Sequence, residues 1–202
     1  MRPLVLSLGL LLAAPAVAAD LDGEISVGLG LFSNHDPAFD LFSRHDAMAS
    51  PGVRVGYALN DHVSFVLGWH HVRRGNRVLV PDGDFQAVFT GDAVTLGPKV
   101  GTPLTDWLFP YVTAQAVAFR GVIQLDDDPM RPGNPGQLVE SALTPGVIGL
   151  GGLELRVPVG HDLAGAVHVE AGYEWLARGS YGDFGTLRPG GFTLRSGVGL
   201  RF

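Results

Sequence analysis

No cysteine occurs among the 202 residues, which excludes both disulfide bridges and a cysteine-linked lipid anchor. Beyond Ala19 the sequence also lacks any run of about 20 apolar residues, so a membrane-spanning helix is not expected. Charged residues make up only 17% of the chain, and the formal net charge of -6 disfavours nucleic acid as a partner. The length suits one domain whose stability must come from its own fold.

The amino-terminal segment has the pattern of an export signal. Arg2 precedes an apolar run over residues 4–12, and small residues at 16–19 precede Asp20. This order of a basic start, a short apolar stretch and small residues is typical of a secretory signal peptide. We therefore expect residues 1–19 to be removed and residues 20–202 to form the mature domain.

Alternation of apolar residues with small or polar ones, bounded by turn residues, predicts eight strands. Their approximate ranges are 23–32, 52–59, 62–73, 85–101, 110–121, 147–157, 164–176 and 191–202. Alternation is weak in the fourth and fifth of these, and Pro98 in the fourth cannot donate to a ladder. In the sixth, Ile148 and Leu150 fall on the face that is otherwise polar.

The last predicted strand has one apolar face and one small or charged face. The apolar face consists of Phe192, Leu194, Val198, Leu200 and Phe202. Thr193, Arg195, Gly197, Gly199 and Arg201 form the opposite face. A final strand of this kind, ending on an aromatic residue, resembles the closing strand of bacterial outer-membrane barrels. The resemblance implies that these five apolar residues form the signal read by the barrel-insertion machinery.

The connections alternate between short and long. The short ones are Asn60 and Asp61, residues 102–109 and residues 158–162, and the long ones are residues 33–50, 74–84, 123–146 and 177–190. This asymmetry is typical of an outer-membrane barrel, with turns in the periplasm and loops outside. The predicted fold is therefore all-β: an eight-stranded antiparallel up-and-down transmembrane barrel with short periplasmic turns and four long extracellular loops.

Aromatic residues cluster near both ends of the predicted strands and suggest two interfacial girdles. The turn-end girdle would contain Tyr57, Trp107, Phe109, Tyr111 and Phe202, and the loop-end girdle Phe32, Trp69, Phe119, Trp175 and Phe192. A soluble barrel is the alternative, but it would place apolar residues inside and charged residues outside.

If the apolar face meets lipid, the opposite face fills the lumen with charged residues of both signs. The predicted lumen network contains Glu24, Arg54, Lys99, Glu154, Arg156, His168, Glu170, Glu174, Arg195 and Arg201, with His70 beside it. An eight-stranded barrel is only wide enough to be filled by side chains. Because buried charges are tolerated when paired, a structural polar plug is favoured over a small gated channel.

No catalytic, cofactor or metal site is predicted. His62 and Ser64 match the His-x-Ser of the lipid A deacylase family, but the acid that family places further along is missing, so the match is read as chance. The adjacent His70 and His71 point to opposite faces of a strand and cannot chelate together. The acidic residues Asp36, Asp40, Asp46 and Asp126 to Asp128, with His35 and His45, lack a calcium-loop spacing and are interpreted as solvated loop charge.

The apolar group Phe39, Leu41 and Phe42 in the first loop has two interpretations. It could form an exposed binding surface or the entrance for a hydrophobic ligand. It could equally pack down onto the barrel rim.

Taken together, these features resemble the small eight-stranded outer-membrane proteins of the OmpA-barrel, OmpX and OmpW types and the opacity-like adhesins. The resemblance implies an outer-membrane location, contact with membrane lipid and lipopolysaccharide, and a monomer. The favoured function is non-enzymatic: a plugged barrel with a structural or surface-interaction role through its loops. A narrow channel for small hydrophobic or polar solutes is the alternative, and a lipid-modifying enzyme is third.

Overall fold

The computed structural model describes residues 23–34, 36–37, 39, 42, 47–80, 83–127, 138–159 and 162–202. The predicted signal peptide at residues 1–19 lies outside these ranges. So do His35, Asp40, Leu41, His45, Asp46 and Asp128 of the predicted loops. Among the described residues no helix is long and apolar enough to cross a membrane.

Eight long antiparallel strands form a closed barrel. They are β1 (Gly23–Ser33), β2 (Ala47–Ala58), β3 (Val63–Val80), β4 (Gly83–Gly101), β5 (Leu108–Asp127), β6 (Leu138–Pro158), β7 (Ala164–Leu176) and β10 (Gly191–Arg201). Between β7 and β10 lie the two-residue strands β8 (Gly179–Ser180) and β9 (Thr186–Leu187), which pair around a single 3-10 turn at Gly182–Phe184. The predicted all-β fold, an eight-stranded antiparallel barrel, is confirmed.

Closure occurs between the first and last long strands. β1 pairs with β2 on one side and with β10 on the other, and β10 also pairs with β7. The backbones of Gly23 and Phe202 exchange two hydrogen bonds at the end of this seam. Each of the eight long strands therefore has a partner on both sides, which satisfies backbone groups that would be costly to expose to lipid.

The two ends of the barrel differ. The end that contains Gly23 and Phe202, here called the terminal end, has turns at residues 59–62, 102–107 and 159–163. At the opposite end, here called the loop end, β3 and β4 continue to pair as far as Val80 and Gly83. Pairing between β2 and β3 stops earlier, at Gly52 and His70, so the β3–β4 hairpin extends beyond its neighbour.

Two of the predicted long loops are largely strand. Residues 74–80 and 83–84, predicted as loop, belong to the β3–β4 hairpin. Similarly, β5 runs to Asp127 and β6 begins at Leu138. The sequence obscures these strands because the apolar-outside, polar-inside alternation is lost there. Arg73 and Arg74 place polar side chains on both faces of β3, and in β5 the apolar Ile123 points inward while Gln124 lies on the outer face.

The outward face of the barrel is apolar around its circumference. Val27, Leu67 and Val169, on three different strands, are 55%, 50% and 50% exposed. An apolar surface that encircles the molecule is far larger than the patches that soluble proteins expose. This surface has the polarity of a membrane barrel, in which lipid covers the outside.

The predicted aromatic girdles are correct only in part. Tyr57, Trp107 and Phe202 at the terminal end are exposed, as are Trp69, Trp175 and Phe192 at the loop end. Phe32, Phe109, Tyr111 and Phe119 were assigned to the girdles wrongly, because they occupy inward positions of β1 and β5 and are buried. Successive side chains of a strand point to opposite faces, so the position of each residue along its strand, here called strand parity, decides whether it points outward or inward.

Pro98 lies where the pairing between β4 and β5 is interrupted. It pairs in register with Phe65 of β3, but the ladder between β4 and β5 skips Gly97 and Pro98. Proline has no N–H to donate, and this missing donor accounts for the break on one side of the strand.

Candidate functional site: the barrel lumen

The terminal half of the lumen contains a cluster of buried ion pairs. Glu154 lies at its centre and is fully buried. Its carboxylate contacts Lys99, accepts a hydrogen bond from Arg156 Nε at 2.7 Å and lies 3.7 Å from Arg201 Nη1. Three cations thus converge on one carboxylate in a compartment where unpaired charge would be strongly unfavourable.

Glu24 and Arg54 extend this cluster across the barrel. Lys99 Nζ donates to Glu24 Oε2 at 2.9 Å, and Glu24 Oε1 lies 3.0 Å from Arg54 Nη2. Arg54 also pairs with Glu170, which accepts a second hydrogen bond from Tyr111 Oη at 2.7 Å. Side chains from β1, β2, β4, β5, β6 and β7 therefore meet in one network that spans the lumen.

Aromatic rings line the same cluster. Lys99 Nζ lies 4.5 Å from the centroid of the Tyr111 ring, and the Arg156 guanidinium carbon lies 3.8 Å from that of Phe109. Both distances fall within the range of cation–π attraction. The two rings therefore offer these cations a favourable contact in addition to the carboxylates.

A second charged group lies nearer the middle of the barrel. Glu174 is fully buried, with His70 Nε2 at 3.4 Å and Arg195 Nη2 at 3.6 Å from its Oε2. Neither contact is a hydrogen bond, and among the described residues both oxygens of Glu174 lack a hydrogen-bond donor. Arg195 instead directs Nη2 toward His70 Nδ1 at 3.2 Å and Nε toward Thr193 Oγ1 at 3.3 Å.

A polar cavity of about 50 Å³ lies between the two charged groups. Its lining includes His70, Arg195, His168, Glu170 and Arg54. The buried hydroxyl of Ser50, which also lines the cavity, has no hydrogen-bond partner among the described residues. Since one buried water needs roughly 10–15 Å³ on this measure, the cavity has room for a few water molecules.

The loop half of the lumen is apolar. Phe32, Phe89, Phe119, Ile123 and Ile148 are buried there, directed inward from β1, β4, β5 and β6. Phe89 and Phe119 stack with ring centroids 6.2 Å apart. The same cluster includes side chains from the connections at residues 34–46 and 177–190, here called loop 1 and loop 4.

Loops 1 and 4 close the mouth of the barrel by inserting aromatic residues into this apolar half. Phe39 of loop 1 packs edge-on against Phe89 at 4.8 Å, and Phe42 is equally buried. Of the two interpretations of this group, packing onto the rim therefore applies to Phe39 and Phe42. Tyr181 of loop 4 is fully buried, and burial raises the pKa of its phenol to about 12.

Hydrogen bonds join the two loops to each other. Asn34 Nδ2 donates to the carbonyl oxygen of Arg188 at 3.0 Å. The backbone N–H of Arg188 donates to Asp36 Oδ2 at 2.9 Å. This pair of contacts, here called the loop latch, holds the two inserted segments together at the loop end.

All ten residues of the predicted lumen network lie on the inward face. Nine are joined in the two charged groups: Glu24, Arg54, Lys99, Glu154, Arg156, Glu170 and Arg201 in the first, and Glu174 and Arg195 in the second. His168 lines the cavity between them. The five residues of the predicted insertion signal, Phe192, Leu194, Val198, Leu200 and Phe202, are exposed on the outward face.

Tyr111 is a lumen residue that the sequence analysis does not identify. Its residue type and its position near a turn favour a girdle instead. Its parity matches that of Thr113 and Gln115, which are polar and buried. Strand parity was therefore the signal that could have identified it.

The histidines that the sequence singles out lie at separate places on the barrel. His62 is exposed in a terminal-end turn, where its Nδ1 lies 3.2 Å from the carbonyl oxygen of Gly101. His70 and His71 face opposite sides of β3, and His71 pairs outside the barrel with Asp92 at 2.9 Å. No group of three or more potential metal ligands occurs among the described residues.

Comparison with known proteins places this geometry among solved barrels. No protein-family model and no curated protein sequence matches the chain. Ail, the attachment invasion locus protein of Yersinia pestis, solved in complex with the heparin analogue sucrose octasulfate, matches with a TM-score of 0.55. The match has 16% identity and covers 90% of this chain and 99% of Ail.

The outer membrane protein OprG from Pseudomonas aeruginosa also matches, with a TM-score of 0.51 and 14% identity, over 90% of this chain and 96% of OprG. The chain has the fold of the small eight-stranded outer-membrane barrels. At 16% and 14% sequence identity, these two matches show that the fold is shared.

Proposed function

We propose that this protein is an integral outer-membrane barrel with a closed lumen, and that its role is non-enzymatic and is exercised through its loop end. The observation that carries the proposal is the filling of the lumen in two layers. Buried ion pairs occupy the terminal half, and an apolar core capped by loops 1 and 4 occupies the loop half. An eight-stranded barrel leaves no further width for a continuous pore.

The outer-membrane location is supported by the apolar exterior and by the neighbours with the same fold. In this orientation the terminal end faces the periplasm and the loop end faces outward, as the connection lengths favour. Closure of the sheet within one chain leaves no strand edge to be covered by a second copy, which is consistent with a monomer. Lipid and lipopolysaccharide would then cover the outward face.

A surface-interaction role is supported by the form of the loop end. The β3–β4 hairpin and the β5–β6 pair extend beyond the point where neighbouring strands stop pairing. Loops 1 and 4 are packed on the inner side of this extension. The barrel thus presents a folded outer surface, and binding residues are commonly carried on such loop ends.

A narrow channel is the second candidate, favoured by the polar cavity beside His70 and Arg195. Single-channel recording of the refolded chain in a planar bilayer separates the two candidates. The closed-lumen proposal predicts no stable ion-selective step above the lipid baseline. A wide porin recorded in the same bilayers serves as a control for sensitivity, and heat-modifiable mobility on a gel verifies folding.

A reproducible step that disappears in the Arg195→Ala variant would locate conduction in the lumen and overturn the closed-lumen proposal. A step unaffected by Arg195→Ala would contradict it as well unless the matched lipid-only bilayers show the same step. The proposal stands when folded protein and lipid-only bilayers give the same baseline.

A further inference from the structure

A cleft of about 240 Å³ opens at the loop end of the barrel wall, beside β7 and the chain that leads into β10. Its lining consists of Tyr173, Glu174, Trp175, Leu176, Arg188 and Gly190. The cleft is separate from the polar cavity of the lumen, because the two share no lining residue. None of the functions discussed above uses it.

Two aromatic rings form the outward wall of the cleft. Tyr173 and Trp175 are 38% and 55% exposed, and their ring centroids lie 5.0 Å apart. Phe192, which is paired in register with Tyr173, is exposed next to them. Clusters of exposed Trp and Tyr at the end of an apolar band mark the depth of lipid headgroups. The cleft therefore lies where acyl chains end and headgroups begin.

Arg188 supplies a positive charge at the same place. Its backbone is fixed by the loop latch, through the bonds to Asn34 and Asp36. Its side chain is exposed, and within the described part of the chain its guanidinium forms no ion pair or hydrogen bond. Glu174 does not neutralise it, because the Glu174 carboxylate is buried and faces His70 and Arg195 inside the barrel.

The chemistry of the cleft selects a particular kind of ligand. A guanidinium matches the geometry of a phosphate and can bind it through two parallel hydrogen bonds. An adjoining aromatic face offers an apolar platform with a polar tip, which suits the face of a sugar ring. The volume is below the roughly 300 Å³ of the smallest ligand pockets, so it suits one headgroup unit with its acyl chains outside.

We propose that this cleft holds the phosphorylated sugar headgroup of an outer-leaflet glycolipid, with the phosphate on Arg188 and the sugar against Trp175. The acyl chains would then lie along Val169 and Ala171, which face outward on β7. This inference rests on the proposed outer-membrane location. It adds to that proposal a defined site and a preference among anionic lipids.

Native mass spectrometry of the refolded mature chain in detergent tests the inference, with three lipid probes: bisphosphorylated lipid A, its dephosphorylated form and phosphatidylglycerol. One copy of bisphosphorylated lipid A should be retained, at least tenfold more tightly than either of the others. Arg188→Gln should lower that affinity by about tenfold, the loss expected for about 1.4 kcal/mol of charged hydrogen bonding. Arg178→Gln, an exposed arginine of the same loop, is the matched control and should bind as the wild type does.

Two further variants keep the test decisive. Arg188→Lys keeps the charge but loses the planar fork, so we expect an intermediate affinity, and it replaces Arg188→Gln should that variant fail to fold. Trp175→Leu keeps an apolar outward side chain and should weaken lipid A binding several-fold. Wild-type binding by both Arg188 variants, or equal retention of phosphatidylglycerol and lipid A, would overturn the inference. Failure to insert into vesicles at all would instead contradict the proposed membrane location.

Discussion

The Glu154 carboxylate is inaccessible to water and is approached by three cationic side chains, those of Lys99, Arg156 and Arg201. Within such a compartment the attraction between partners only offsets the cost of removing them from water. Removing one partner is different, because it leaves the others buried and uncompensated. Single residues of the lumen therefore differ sharply in how well they tolerate substitution, even though all face the same way.

Glu154→Gln should lower the free energy of unfolding by about 3–5 kcal/mol, since the side chain keeps its shape while the buried Lys99 and the partly exposed Arg156 and Arg201 lose a shared counter-charge. Urea unfolding of the refolded barrel in lipid vesicles measures the change. Asp106→Asn, which neutralises an exposed carboxylate in a terminal-end turn, is the control and should change stability by less than about 0.5 kcal/mol. Equal effects of the two substitutions would mean that the cluster is hydrated.

Prediction from sequence works well for lumen residues whose polarity differs from that of their neighbours. Arg54 and Glu170 stand out between apolar residues, and the structure brings them into contact. Phe32 and Phe119 do not stand out, because an apolar residue is compatible with either face of the wall. Their direction depends on strand parity and on the apolar packing of the loop half, which no local pattern contains.

Loops 1 and 4 form one packed unit, because buried side chains of both belong to the same apolar cluster. Phe39 and Tyr181 both pack against Phe89 in the same apolar cluster. The loop latch joins their backbones outside that cluster. Opening of one loop therefore exposes apolar surface on the other, which couples their motions.

Asn34→Ala removes one bond of the loop latch and should increase local opening of the mouth about fivefold, the effect of roughly 1 kcal/mol. Limited trypsin cleavage at Arg44, in loop 1, provides the measurement, with the rate compared between variant and wild type. Asn60→Ala removes a side-chain acceptor from a terminal-end turn and should leave cleavage at Arg44 unchanged. Equal cleavage of Asn34→Ala and wild type would show that the latch does not hold loop 1.

Strand extensions at the loop end show where pattern reading fails at the scale of elements. The alternation of β1, β7 and β10 predicts their ranges closely, because one face meets the apolar exterior and the other meets polar lumen. In the outer part of β5 the polarity is reversed, with Phe119 and Ile123 directed inward and Arg120 on the outer face. The alternation of such a segment does not continue that of the rest of the strand, and only its pairing with the neighbouring strands shows that the strand continues.

For the molecule as a whole, the distribution of polarity is inverted relative to a soluble protein. Charges are gathered inside and apolar side chains cover the wall. The overall architecture is the part most accessible from the sequence, since the predicted export signal, the strand count, the connection lengths and the closing strand all favour one class of fold. The filling of the lumen was less accessible because it depends on contacts between residues such as Lys99 and Glu24 that are distant along the chain.

Arginine substitutions on the outward face test this inverted polarity directly. Val27→Arg, in the middle of β1, should cost about 2–4 kcal/mol of unfolding free energy in lipid vesicles, because the charge would enter the hydrocarbon region. Val159→Arg, at the terminal-end turn, should cost only about 0–1 kcal/mol. Both residues are well exposed, at 55% and 65%, so exposure alone predicts equal effects. Similar costs at the two positions would contradict a lipid-covered wall.

The apolar core of the loop half also determines which compartment the buried charges sense. Phe32, Phe89 and Phe119 separate the polar cavity from the loop end, whereas the ion-pair cluster with Phe109 and Tyr111 lies between the cavity and the terminal end. Because that side of the cavity is lined by polar and ionisable groups, we expect protons to reach His70 and His168 through the terminal half of the lumen. In the proposed orientation these two histidines therefore respond to periplasmic pH more directly than to the pH outside the cell.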